Sequence, residues 1–147
     1  MTASVKKRVM VTGVLGLAVN EKGEYLLTQR NQPKDPEVHM LWQIPGGGME
    51  FGEQPEQTLS REMQEELGVA VRILHPLPVA KTSVWILKTY DLHVTLLCYL
   101  VSIDDQTPKI NDPETANFGW YSIQNMHDLK LMALTGDFVE AFNRQGT

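Results

Sequence analysis

The sequence predicts an α/β or α+β fold in which helices pack on a mixed β-sheet. Three observations predict it: strand-like apolar runs outnumber helical ones, a long charged helical stretch falls between strands, and a second helical spacing of apolar residues closes the chain. A length of 147 residues fits one domain, 1–147, large enough to bury roughly two thirds of the surface its unfolded form would expose.

Residues 9–19 and 24–30 read as two strands joined by Asn20-Glu21-Lys22-Gly23, so a hairpin is expected. Residues 31–39, with two prolines and charge of both signs but no period, read as a surface loop. The run Leu41-Trp42-Gln43-Ile44 then leads into Pro45 and three glycines. Pro55 suits the first turn of a helix, where its missing N–H costs nothing, and Gly68 suits the residue just past the end, which predicts a helix over 55–67. Residues 70–74 and 92–103 read as strands. The second is continuous enough in apolar residues to be a central strand. Residues 117–123 read as another short strand, and Leu131, Leu134, Phe138 and Phe142 recur at helical spacing. Sheet order is not readable.

A net charge of -5 argues against sequence-independent binding to nucleic acid, which depends on Lys and Arg neutralising phosphates. Lys6-Lys7-Arg8 followed by an apolar run imitates a secretory leader. Gly13 and Gly16 interrupt that run and no small-residue cleavage pattern follows Ala18, so no leader is expected, and no other stretch approaches a membrane span. The single cysteine, Cys98, sits in an apolar run and reads as a buried small hydrophobe, consistent with a reducing, cytoplasmic compartment.

On the predicted helix, Leu59, Met63 and Leu67 form an apolar stripe, and Glu62, Glu65 and Glu66 fill the adjacent arc. Glu62 with Glu66, and Glu62 with Glu65, are like-charge neighbours that each cost a few tenths of a kcal/mol on an isolated helix. A hard divalent cation such as Mg2+ or Mn2+ would relieve that cost, because both prefer carboxylate oxygens. A solvated helix face accounts for three glutamates as well. Gly46, Gly47 and Gly48 bring bare backbone close by, where N–H and C=O groups can meet a phosphate or a cation.

The segment from Gly47 to Val69 resembles the Nudix box: Gly, five residues, Glu, seven residues, Arg-Glu, an apolar residue, any, Glu-Glu, any, Gly, apolar. Gly47, Glu53, Arg61, Glu62, Met63, Glu65, Glu66, Gly68 and Val69 fill every fixed position. Around it, Trp42 to Gly47 resembles the family's entry to the box, and Trp120 its late strand. Two departures are mild: Gln54 stands where a Thr or Ser often caps the helix, and Met63 replaces a more usual Leu or Ile.

The resemblance implies a Nudix-type α/β/α sandwich, a mixed sheet with helices on both faces. It implies hydrolysis of a diphosphate linkage in a nucleoside diphosphate joined to another group, with water attacking phosphorus and Mg2+ or Mn2+ as cofactor. By position, Glu62, Glu65 and Glu66 would be metal ligands, with the carbonyl of Gly46 a fourth, and Arg61 would orient the helix carboxylates by pairing with Glu53. For Arg61 the bland reading is an exposed partner of Glu65 on the same helix face. The general base is either a helix glutamate or Glu114 on the later loop, and Glu114 is as readily a solvated loop acid. The four histidines show no ligand spacing.

Substrate contacts are expected from Arg30, Trp42, Gly46, Gly47, Gly48 and Trp85. Trp42, Trp85, Tyr90 and Phe118 are candidates to stack on a base, although residues of these types more often belong to the core or its rim. The family markers for ADP-ribose, dinucleoside polyphosphate and coenzyme A substrates are not met; Trp85 occupies the position where the first two are read. A MutT-like pyrophosphohydrolase of small, including modified, nucleotides is the leading reading. ADP-ribose or dinucleoside polyphosphate hydrolysis, and a nucleotide sensor that does not cut, remain alternatives. The partner expected is a small nucleotide, without a membrane, and a homodimer is left open.

Overall fold

The structure, a computed structural model, describes residues 5–145. Its elements are β1 (Lys7–Ala18), β2 (Tyr25–Arg30), β3 (Trp42–Gln43), β4 (Gly46–Gly48), α1 (Pro55–Leu67), β5 (Arg72–Ile73), β6 (Val79–Ile86), β7 (Tyr90–Ser102), β8 (Thr115–Tyr121), α2 (Ile123–Met126) and α3 (Thr135–Arg144).

The larger sheet is mixed. It runs β4-β1-β7-β5, with β6 also on β7, and the smaller one runs β3-β2-β8. β1 and β7 pair in parallel from Lys7 with Tyr90 to Ala18 with Val101, while β4, β5 and β6 join antiparallel. β7 is thus central, as its largely apolar run predicts.

Alternate residues of the same strands feed two cores. Val14, Tyr99 and Val101 pack on one side with Leu59, Met63 and Leu67 of α1. Leu17, Cys98 and Leu100 pack on the other side with Phe138, Val139 and Phe142 of α3. A strand buried on both faces needs apolar residues at every position, which is why these runs show no polar alternation. Helices therefore cover both faces of a mixed sheet, as the sequence analysis expects.

The expected hairpin of 9–19 and 24–30 is corrected. The turn forms, with Asn20 bonded to Gly23 and Glu24, but β1 and β2 enter different sheets, and the pairing beside the turn is an isolated bridge, Val19 to Tyr25. β1 pairs instead with β7, whose longer apolar run buries more of it. The C-terminal helix also starts later than the spacing from Leu131 suggests. Leu134 adopts φ 73, outside the helical region, and Leu131 lies in a bridge to Trp42.

α1 begins at Pro55 and ends with Gly68 at φ 66. Gln54 supplies no hydroxyl cap, but Gln57 Oε1 accepts the Gln54 N–H at 2.8 Å. At the other end, two carbonyls left over by the helix are met by a loop: Lys109 N–H donates to Leu67 O and Asn111 N–H to Glu66 O. These bonds stitch the segment before β8 onto the carboxylate-bearing end of α1.

Candidate active site

β4 brings the glycines edge-on to β1 and against α1. Gly46 has φ 147, and a Cβ there would lie 2.1 Å from the Val14 carbonyl, so only glycine is tolerated. A Cβ on Gly47 would lie 2.5 Å from the Glu62 carboxyl. Bare backbone at this point is what lets the helix carboxylates reach the strand.

The three helix glutamates sit in different surroundings. Glu65 is mostly in solvent, Glu62 is largely covered and Glu66 is buried. Glu66 Oε2 accepts the Gly46 N–H at 3.2 Å, and Oε1 lies 3.4 Å from the Thr115 hydroxyl. The buried Thr28 hydroxyl also stabilises the charged form of Glu66, although no hydrogen bond of ordinary geometry holds it. Burial nevertheless pushes the Glu66 carboxyl up to about 7, with Asp112 and Glu62 adding like-charge repulsion. Glu62 is likewise raised, mainly by burial, with help from Glu65 and Asp112 and against the pull of Arg61.

Arg61 is bound on several sides. Its Nε meets Glu53 Oε2 at 2.8 Å and its Nη2 meets Glu53 Oε1 at 3.0 Å, a two-point fork. Nη2 also donates to the Gly48 carbonyl at 2.9 Å, and Nη1 to Glu62 at 2.9 Å and Glu65 at 3.2 Å. One guanidinium thus joins the residue before the helix, the glycine strand and the helix carboxylates. Glu53 further accepts the Glu50 N–H and the Thr58 hydroxyl. Its pKa falls to about 2, first through the bond to Arg61 and next through that of Glu50.

Among the described residues, no three His, Cys, Asp or Glu side chains are already gathered as a metal cage. The donor chemistry nonetheless fits a hard cation. Glu62 and Glu66 are crowded with Asp112 in a partly dry place, where a positive charge would offset the repulsion that raises both. At Gly46 it is the N–H that meets the helix, through Glu66, which the sequence did not indicate.

Beside the glycines lies a cavity of about 280 Å3. Arg30, Gly46, Gly47, Gly48 and Trp85 line it, as does Gln43. The indole N–H of Trp85 is held by Ser83 Oγ at 3.2 Å, so its ring, not its polar tip, is offered. Trp42 lies outside this cavity. It packs edge-to-face on Tyr121 with ring centroids 5.1 Å apart, because neighbours on a strand face opposite ways and Gln43 takes the cavity side. Phe118 packs against the core, and Tyr90 is at the surface.

Glu114 is exposed, and its main chain rather than its carboxyl makes the contacts: its N–H donates to Asp112 Oδ1 and its C=O accepts from Asn31. Asp112, two residues earlier, is the acid whose charge reaches Glu62 and Glu66. Nothing in the sequence separates Asp112 from Glu114; the loop's bonds to Leu67 and Glu66 decide which one faces the helix.

A sheet sandwiched between helices, with a glycine strand laid against a carboxylate-bearing helix, defines the Nudix class of fold. The chain belongs to the NUDIX domain family, whose model matches residues 9–142. It is 30% identical over 104 residues to the 8-oxo-dGTP diphosphatase of Proteus vulgaris, a match covering 66% of this chain and 79% of that one. It is 37% identical over 70 residues to the RNA pyrophosphohydrolase of Acinetobacter baylyi, covering 48% of this chain but only 37% of that protein. The crystal structure of the MutT protein from Methanosarcina mazei Go1 shares the fold, with a TM-score of 0.73, 24% identity and coverage of 98% of this chain and 99% of that one.

Proposed function

We propose that this protein is a MutT-like nucleotide pyrophosphohydrolase that uses Mg2+, with Mn2+ able to replace it, to cleave the diphosphate linkage of a nucleoside di- or triphosphate, modified nucleotides included. The observation that carries the reading is Arg61, which forks onto Glu53, bonds Glu62 and Glu65 and donates to the Gly48 carbonyl, tying the helix carboxylates to the glycine strand beside a cavity of about 280 Å3.

In this reading Glu62, Glu65 and Glu66 hold the cation. A bound cation neutralises the diphosphate and makes a water more acidic. Arg61 fixes where the carboxylates stand, and the Gly46–Gly48 backbone lets the phosphates approach. The Trp85 ring and the apolar cavity wall take the uncharged part of the substrate. The attacking water gives its proton to a helix carboxylate or to Glu114; turnover of Glu114→Gln separates these routes. The names of the two relatives support the reaction class. The buried Cys98, whose thiol burial pushes well up, supports a reducing, cytoplasmic setting, and no described helix is long and apolar enough to cross a membrane.

The test is a release assay over a panel of nucleoside triphosphates, oxidised nucleotides, ADP-ribose and dinucleoside polyphosphates with Mg2+ or Mn2+. Phosphate, diphosphate and nucleoside monophosphate are read separately. Monophosphate and diphosphate from a triphosphate are expected. Binding of a nucleotide without any cleavage would instead favour a sensor.

A further inference from the structure

Two arginines stand at the site, and they are partnered in opposite ways. Arg61 faces Glu50, Glu53, Glu62 and Glu65. Arg30, on the cavity wall, forms no ion pair with any carboxylate among the described residues. Its partners are two neutral amides. Nη1 donates to Gln43 Oε1 at 2.9 Å, Nε donates to Gln32 Oε1 at 2.9 Å, and Nη2 donates to the same Gln32 oxygen.

A guanidinium carries five N–H donors, so these three bonds leave two to spare. The group is fixed from two directions. Gln43 sits on β3, which pairs with β2, and the Gln32 N–H is anchored on His39 Nδ1 at 3.0 Å. Fixing a partly buried cation with amides costs desolvation and returns only charge–dipole attraction, without that of an opposite charge. A carboxylate at either position would return it and would also cancel the charge. Amides keep the direction and leave the charge unspent.

We propose that Gln32 and Gln43 are positioning residues that hold Arg30, still fully charged, for an anionic group of the substrate. Resting on the reading of this site as a diphosphate hydrolase, the group is a phosphate of the chain that faces away from the helix carboxylates. Arg61 has no charge to spare for that task. Two free N–H groups on a planar fork match two phosphate oxygens. Val94, Leu96 and Phe138 make much of the remaining wall apolar, its other polar side chains, Thr12, Ser83 and Thr135, are neutral, and no second Lys or Arg lines it.

Gln43→Glu and Gln32→Glu each place a carboxylate on Arg30 while keeping its position. With Mg2+ and either ATP or GTP, each variant should raise KM about tenfold and hold kcat within about twofold. The rise should be the same for both nucleotides, and inorganic diphosphate should weaken as an inhibitor by a similar factor. Gln43→Met, which removes one acceptor and adds no charge, should raise KM less than Gln43→Glu. Thermal melts of all variants confirm that each is folded, and Gln32→Glu, in the loop, stands in should a Gln43 variant fail. Unchanged KM in the Glu variants overturns the proposal, and so does a Met variant as impaired as the Glu variant. A rise for one nucleotide only, with diphosphate inhibition intact, also overturns it, because Arg30 would then face a base edge. Should the parent cleave neither ATP nor GTP, the best-cleaved nucleotide of the panel takes their place, and should it cleave none of the panel, the hydrolase reading falls by itself. Calorimetric binding of ATP to the parent and the two Glu variants then decides this inference by the same factors.

Discussion

Arg61 closes a two-point fork on Glu53, with Nε 2.8 Å from Oε2 and Nη2 3.0 Å from Oε1. Glu53 precedes the helix and Arg61 lies within it, so the fork fixes the helix against the segment that carries the glycines. Lysine offers one point of charge and cannot fork. Arg61→Ala and Arg61→Lys should therefore both lose activity, by about tenfold or more, through displaced carboxylates. Full activity in Arg61→Lys, measured as kcat at saturating Mg2+, would show that charge alone suffices.

The same fork sets a dependence on acid. Glu53 has an ordinary value of 4.5 when unpaired and about 2 when folded, the bond from Arg61 being the largest cause. A lowered pKa gives stability that is complete above the unfolded value and is lost as pH falls through the folded one. Urea midpoints of the parent should therefore fall more steeply between about pH 4.5 and 2 than those of Glu53→Gln. Parallel curves would mean that the fork adds nothing to the fold.

Gly47→Ala tests the close approach of strand and helix. Its Cβ would stand 2.5 Å from the Glu62 carboxyl, which must swing away. Loss of Mg2+-dependent turnover by at least about tenfold, with a small change in melting temperature, is the expected result. Retained turnover would remove Glu62 from the reacting geometry.

Glu66→Gln should reverse its effect on stability with the cation. In chelator, Glu66 is a buried acid whose pKa has risen to about 7, so its charge opposes folding increasingly as pH rises from 4.5 to about 7. The amide keeps an acceptor for the Gly46 N–H and carries no charge. Above that window the variant should melt higher than the parent, with no difference at pH 4. In saturating Mg2+ the order should invert, because the parent gains about 1.4 kcal/mol at ten times its dissociation constant and the variant gains less. A variant that melts lower in chelator at neutral pH, or one with an intact Mg2+ shift, contradicts this placement of the cation.

Much of the fold was legible wherever local chemistry decides it. Pro55 and Gly68 bound α1 because a ring without an N–H and a residue at φ 66 suit those two positions only. The apolar run of β7 marked a central strand. Pairing was not legible, since β1 and β2 show the same apolar pattern whether they pair with each other or with β7 and β8. β6 was missed because Lys81, Thr82 and Ser83 dilute an edge strand that is half in solvent. In the site, the box positions could be read one by one from their spacing. Asp112, Gln32 and Gln43 could not, because what places them is long-range: the loop bonds to the end of α1 and the strand pairing around Arg30.

The most direct test is product release from the best nucleotide of the panel, compared between the parent and Glu65→Gln at saturating Mg2+. Glu65 is solvent-facing and its carboxylate pairs, among the described residues, with Arg61 alone, at 3.2 Å, so its loss should spare the fold. The account predicts nucleoside monophosphate and diphosphate from the parent, and turnover at least about 10²-fold lower from the variant, because a lost ligand weakens charge neutralisation in the transition state. Near-parental turnover by Glu65→Gln, or no cleavage of any nucleotide by the parent with Mg2+ or Mn2+, would contradict it.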